Sequence, residues 1–175
     1  MKKNEFKFFI AIVALVVVSA TFFGSYWLYN QYGVEKPLAN RINSIAGVEN
    51  VTIGNQDREL TIDVQLKNID NLQSKYEEIK KAIDSVVKNK QYQLNIKYQR
   101  DEKLQNAYDN VQLMVYEAIA NNRYLWLKEQ MKPELKGITY KLFVDENRLY
   151  IQMQDGDHFL YEVINRQQDN NTVVK

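Results

Sequence analysis

The chain's only histidine, His158, lies beside two carboxylates in the stretch QDGDH, where Asp155 and Asp157 flank a glycine. A histidine next to aspartates can transfer protons or, with further ligands, hold a metal ion. The same stretch fits a hairpin turn, because Asp-Gly is among the dipeptides that tight hairpins favour. Zinc normally takes three or four protein ligands, and the chain has no second histidine and no cysteine. The pattern therefore favours a solvated turn over a metal or acid–base site.

Other catalytic signatures are missing from the sequence as well. The carboxylate pairs Glu77-Glu78 and Asp145-Glu146 fit a polar helix face and a turn, and the chain has neither a GxGxxG nor a GxxxxGK[ST] motif. A Ser-His-Asp triad would depend on His158 alone. We therefore predict that the protein is not an enzyme and has no catalytic, cofactor-binding or metal site.

Aromatic residues are frequent, and some of them cluster. The segment RYLWL brings Arg123, Tyr124 and Trp126 together in a long helical stretch. These residue types are enriched at the centres of protein interfaces, so the three are our candidate partner-binding residues. The other interpretation is that the long helix lies between two sheets and is buried on more than one side. The sequence leaves both open.

The second half of the chain, residues 100–165, predicts a long helix followed by a three-stranded antiparallel meander. Apolar side chains recur at spacings of four and three from Leu104 to Ala118, and NNR at 121–123 is a site for a break. Pro133 is expected to end the helical stretch. Three strand patterns, joined by the short turns DEN and DGD, follow at 137–144, 148–154 and 158–165.

The first half, residues 37–99, predicts the order helix, strand, strand, helix, strand. Pro37 fits the first turn of the first helix, and Gly47 is a natural stop for it. ELTIDVQL alternates apolar and polar side chains, as a half-buried strand does. Asp70 and Gln73 resemble a capping box at the start of the second helix. Three strands with two helices on one face would bury a compact core.

The chain opens with a long apolar run. From Phe8 to Leu28 there are 21 residues without a charge, about the length that a helix needs to cross a bilayer. Lysines precede the run and aromatic residues follow it, which is typical of a cytoplasmic start and a far-side headgroup region. We predict a transmembrane helix over residues 8–29. A cleaved signal peptide is the rival interpretation, but the run is longer than the usual apolar core of one.

Charge and cysteine content narrow the classes of partner. The chain has 23 Lys and Arg against 22 Asp and Glu. Residues 1–29 contain three lysines and one glutamate, so the remainder holds 20 cations and 21 anions, a net charge of −1. A nucleic-acid-binding protein needs clustered positive charge, so we expect no nucleic acid as a partner. Zero cysteine excludes disulfides and a lipid-modified lipoprotein.

The element order of the first half, with SIAGVENVTI at its first turn, resembles the ring-building and BON-type modules of bacterial envelope proteins. The resemblance covers residues 37–99 and no more. It implies a small domain that assembles beside or across membranes, often in rings or oligomers. No functional residue is carried over from it.

Together these patterns predict an α+β protein with an N-terminal membrane anchor. Its predicted parts are a cytoplasmic N-terminus (1–7), a transmembrane helix (8–29), a juxtamembrane stalk (30–36), a first module (37–99), a second module (100–165) and a flexible tail (166–175). We expect a single-pass cell-membrane protein whose extracytoplasmic body mediates protein–protein interaction or assembly in a bacterial envelope complex, with other envelope proteins or as a homo-oligomer. The alternative is a ligand-sensing or inhibitory ectodomain that binds a small molecule or an exported enzyme.

Overall fold

The structure of the chain is a computed structural model that describes residues 12–21, 35–56, 59–87, 91–98 and 101–166. Within these ranges it has five helices and two three-stranded sheets, which confirms the mixed α+β class. The helices are α1 (12–21), α2 (Lys36–Asn43), α3 (Leu72–Val86), α4 (Glu102–Asn121) and α5 (Tyr124–Glu134). The strands are β1 (Val48–Gln56), β2 (Glu59–Leu66), β3 (Tyr92–Lys97), β4 (Thr139–Val144), β5 (Arg148–Asp155) and β6 (His158–Asn165).

Helix α1 covers the centre of the apolar run, and its apolar side chains are exposed. Among the residues that the structure describes, no helix is both long and apolar enough to cross a membrane. The rest of the predicted span, residues 8–11 and 22–29, lies outside those ranges, as do 1–7, 30–34 and 167–175. The transmembrane helix therefore stays a prediction.

The first module folds in the predicted order α2–β1–β2–α3–β3. β1 pairs with β2 antiparallel and β2 pairs with β3 in parallel, so α3 is the crossover that a parallel neighbour requires. Alternate residues of β2 from Leu60 to Leu66 are buried, which confirms the strand period. Apolar side chains of α2 and α3 join them in one core.

The start of α3 differs from the sequence-based expectation. The predicted capping box of Asp70 and Gln73 is wrong, because Asn71 is the N-cap and its Oδ1 accepts a hydrogen bond from the backbone N–H of Ser74 at 2.9 Å. The backbone at Asn71 is extended (φ −145°, ψ 108°), which directs a short side chain onto the first turn. Pro37 lies in the first turn of α2, as predicted.

The second sheet, with strand order β4–β5–β6, is covered on both faces. Leu149, Ile151 and Met153 of β5 pack with α4 and α5. The alternate residues Tyr150 and Gln152 are also buried, and they lie toward the first module. Successive side chains of a strand point to opposite faces, so one face of this sheet packs in the core of the first module and the other face packs in the core with α4 and α5.

Helix α4 buries one stripe of side chains against the second sheet. The stripe has the predicted spacing and comprises Leu104, Tyr108, Val111, Val115 and Ala118. The interpretation that this helix lies between the two sheets is wrong, because the opposite face of α4 exposes Leu113 and Tyr116. The second sheet occupies the central position instead.

The predicted break at 121–123 is confirmed. Asn122 has a left-handed backbone (φ 53°) that ends α4, and α5 begins at Tyr124. Pro133 was expected to end the helical stretch, but it lies inside α5, one residue before the helix ends. Pro133 has no N–H to donate to the carbonyl oxygen of Glu129, and the helix ends one residue later.

Candidate partner-binding surface

The His158 segment forms the turn between β5 and β6. Asp155 and His158 are paired across the hairpin, and Gly156 between them has a left-handed backbone (φ +58°). Asp155 Oδ2 accepts from Lys103 Nζ at 2.5 Å, while Asp157 and His158 are exposed. Among the described residues, no group of three His, Cys, Asp or Glu could hold a metal ion. The geometry fits the hairpin interpretation.

The three candidate partner-binding residues lie where α4 meets α5, on a surface that we call the corner (Asn122, Arg123, Tyr124, Leu125 and Trp126). The Arg123 guanidinium carbon lies 4.6 Å from the centre of a Trp126 ring, and Arg123 Nη1 lies 3.4 Å from Glu117 Oε1. A cation over an indole face is attracted by the ring quadrupole. The structure therefore brings Arg123 and Trp126 into direct contact.

Tyr124 is held by a residue that the sequence analysis placed in the tail. Arg166 Nε donates to the Tyr124 hydroxyl at 2.6 Å, its guanidinium carbon lies 4.9 Å from the ring centre, and its Nη2 donates to Asn122 Oδ1 at 2.9 Å. Sequence reasoning missed this role because Arg166 precedes a polar tail and shares no periodic pattern with the helix. Its position directly after an apolar strand was the only available signal.

Arg166 also ties the corner to the β4–β5 turn. Its Nη1 donates to the backbone carbonyl oxygen of Asp145, and its backbone N–H donates to the carbonyl oxygen of Asn147 at 2.8 Å. Asp145 in turn accepts from the Tyr150 hydroxyl at 2.6 Å and from the backbone N–H groups of Asn147 and Arg148 at 2.7 Å each. Burial raises the pKa of Asp145, but these hydrogen bonds and the Arg148 charge outweigh burial and hold the pKa below its ordinary value.

Two surfaces of the second module expose large apolar side chains. At the corner, Leu125 is 84% exposed between the half-buried rings of Tyr124 and Trp126. On α4, Leu113 is 82% exposed and Tyr116 is 53% exposed. Residues three apart on a helix are neighbours, so these two form one apolar spot, which we call the outer face of α4. Contiguous exposed apolar side chains are a feature of surfaces that contact a partner.

The two modules are joined at the β2–α3 connection, Lys67–Asp70. Tyr161 bonds through its hydroxyl to the carbonyl oxygen of Lys67 and the N–H of Ile69, and Gln152 Nε2 donates to the carbonyl oxygen of Ile69. Lys141 Nζ donates to the carbonyl oxygen of Asp70 at 2.9 Å. Burial raises the pKa of Tyr161 to about 12, although the hydrogen bond from Ile69 lowers it.

Shallow clefts lie on either side of this junction. One, of about 470 Å³, runs beside the start of α3 and is lined by Gly47, Asp70, Ser74 and Lys75 among others. A second, also of about 470 Å³, lies between the edge strands β3 and β6. Both clefts are open to solvent, unlike the enclosed apolar pockets in which small ligands usually bind.

Comparison of the chain with protein-family models, with curated proteins and with solved structures gives no match. The likeness to ring-building and BON-type modules therefore rests on the order of elements in the first module and on SIAGVENVTI at its first turn.

Proposed function

We propose that the protein is a single-pass membrane protein, with its N-terminus in the cytoplasm, whose extracytoplasmic body is non-catalytic and mediates protein–protein contacts in a bacterial envelope complex. The observation that carries the protein–protein part is the outer face of α4. Leu113 and Tyr116 are exposed side by side on a helix whose opposite face packs on the second sheet, and such a spot suits a contact with a second protein.

Membrane anchoring is supported by the apolar run. Residues 12–21 are helical with exposed apolar side chains, and the uncharged run around them has about the length of a span. A chain without cysteine allows a direct test, because one introduced cysteine is the only thiol. Thr139→Cys should react with a membrane-impermeant maleimide on intact cells. Labelling only after lysis contradicts the proposed orientation.

The protein–protein contact is tested by site-specific photo-crosslinking in native membranes. A photoreactive residue at Leu113 or Tyr116 should give covalent adducts of defined higher mass. The matched control is Thr52, which is exposed on the first sheet, and it should give far fewer. A Leu113→Cys variant separates the two kinds of partner, since a disulfide-linked dimer identifies a second copy. Recovery of monomer alone from both α4 positions contradicts the proposal.

A further inference from the structure

We propose that the corner lies against the phospholipid headgroups of the membrane in which the chain is anchored. This inference rests on the anchor in the proposed function and goes beyond it, because it assigns the corner to lipid while the outer face of α4 is left for protein. Three observations carry it: where the anchor joins the body, which way the second sheet runs, and which side chains the corner exposes.

The anchor joins the body at one identifiable end of the first module. Glu35, which precedes α2, accepts a hydrogen bond from Asn55 near the β1–β2 turn at 3.3 Å. Leu60, just after that turn, is in register with Tyr92 at the start of β3, and the Tyr92 hydroxyl donates to Asp84 near the end of α3. The start of α2, the β1–β2 turn and the C-terminal part of α3 therefore share one end, the anchor end.

The β4–β5 turn of the second sheet points toward that end. Lys141, Gln152 and Tyr161 are in register and contact the β2–α3 connection, which lies at the far end of the first module. Two residues before Gln152 on β5, the Tyr150 ring packs edge-on against Tyr76 of α3, with ring centres 5.6 Å apart.

The next contact continues in the same direction. The Arg148 guanidinium lies over Tyr76, at 5.0 Å from the ring centre, and 3.9 Å from Glu77. The direction from Gln152 to Arg148 thus follows α3 toward its C-terminus. The β4–β5 turn comes last, and Arg166 fastens the corner to it. We therefore infer that the corner lies on the side of the body where the anchor end lies.

The tether keeps this end close to the bilayer. Five residues, 30–34, separate the predicted span from Glu35, and even a fully extended chain of that length reaches only about 20 Å. Within that distance the local concentration of headgroups is high, so a contact that is weak by itself becomes populated.

The exposed side chains of the corner suit a headgroup layer. Leu125 is 84% exposed, Tyr124 and Trp126 on either side of it in the chain are half-buried, and the Arg123 side chain is 49% exposed. Lys128 is exposed one turn further along α5. Tyrosine, tryptophan and basic residues around a leucine are the composition of interfacial helices. The acidic neighbours are Glu117, which pairs with Arg123, Glu129 on α5, and Asp145 and Glu146 of the β4–β5 turn.

The test uses the full chain reconstituted into vesicles of phosphatidylcholine and phosphatidylglycerol that contain a headgroup-labelled nitroxide lipid. A fluorophore is attached through Leu125→Cys or, as the matched control, through Leu113→Cys, a leucine of nearly equal exposure. We expect clear quenching at position 125 and little at position 113. In a second pair, a fluorophore at Lys128→Cys should lose its quenching when Leu125→Asp is added.

The outcomes separate this inference from the proposed function. If the protein resists alkaline extraction from the vesicles but the labels at 125 and 113 are quenched equally, the inference is overturned and the anchor stands. If alkaline extraction removes the protein, the anchor is overturned and the inference with it. If a photo-crosslinker at Leu125 captures a protein in native membranes while the vesicle label is not quenched, the corner is a protein contact and the lipid assignment is wrong.

Discussion

The side-chain amide of Gln152 donates a hydrogen bond of 2.6 Å to the backbone carbonyl oxygen of Ile69, 83 positions earlier in the chain. Gln152 is only 4% exposed, and it is the one buried polar residue among those that the structure describes. Together with the bonds from Tyr161 and Lys141, it satisfies polar backbone groups of a connection that the second sheet covers. The two modules are therefore expected to unfold as one unit.

Removing the Tyr161 hydroxyl should destabilise the whole body. Tyr161→Phe keeps the ring but leaves the Lys67 carbonyl and the Ile69 N–H without this partner, at an expected cost of about 1–3 kcal/mol in the free energy of unfolding. Tyr140→Phe is the control, because its hydroxyl bonds an exposed backbone carbonyl, and it should cost less. Urea unfolding of the full chain in detergent measures both. Equal losses would show that the Tyr161 hydroxyl does not stabilise the junction.

Gly47 should tolerate a side chain less well than Gly137. It has a left-handed backbone (φ +90°), and a Cβ there would lie 2.8 Å from Ile69 Cγ2. Gly137 has a similar backbone (φ +83°) but open space around it. Alanine at Gly137 should therefore cost about 1 kcal/mol from backbone strain alone, and Gly47→Ala should cost about 1–3 kcal/mol more because the core must shift. Thermal unfolding compares them, and equal losses contradict the close approach.

Asp145 should make stability depend on acid pH. Its folded-state pKa is lowered, so its contribution is present above the unfolded-state pKa and is lost as the pH falls through the folded-state value. Asp145→Asn should be less stable than the parent chain near neutral pH, and the difference should shrink on acidification. Tyr150→Phe, which removes one hydrogen bond to Asp145, should move the acid transition to higher pH. A pH-independent difference between Asp145→Asn and the parent chain contradicts the expectation.

Arg166 should matter more for stability than Arg123, although both stack on aromatic rings. Arg166→Ala removes bonds to Tyr124, Asn122 and the Asp145 carbonyl, with an expected loss of about 1–3 kcal/mol because hydrogen bonds to charged groups are strong. Arg123→Ala removes one exposed ion pair and one ring contact, worth about 1 kcal/mol or less. Chemical denaturation measures both. The reverse order would show that Arg166 does not hold the corner.

Two leucines on α4 should behave oppositely. Leu104 is fully buried, and Leu104→Ala should destabilise by about 2–5 kcal/mol. Leu113 is exposed, and Leu113→Ala should change stability by no more than about 0.5 kcal/mol. The same Leu113→Ala variant should weaken crosslinking from Tyr116. A large loss of stability at Leu113 would mean that this side chain is part of the fold and not of a contact surface.

The candidate site was predictable in part, and sequence distance explains which part. Arg123 is the N-cap of α5 and Trp126 lies in its first turn, so their contact is local in the sequence. Arg166 reaches Tyr124 across 42 positions, and its role depends on where β6 ends relative to α5. No local pattern carries that relation.

The helices and strands of the body follow from the sequence by itself, because the period of apolar side chains matches 3.6 residues in a helix and 2 in a strand. The alternation in ELTIDVQL and the spacing from Leu104 to Ala118 both became buried faces. Only the tertiary structure decided what covers those faces. It places the second sheet between two cores, brings Gln152 into a hydrogen bond with Ile69, and leaves Leu113 exposed. Periodicity shows that one side of an element is buried, but the partner that buries it depends on long-range packing, which each segment's own pattern does not contain.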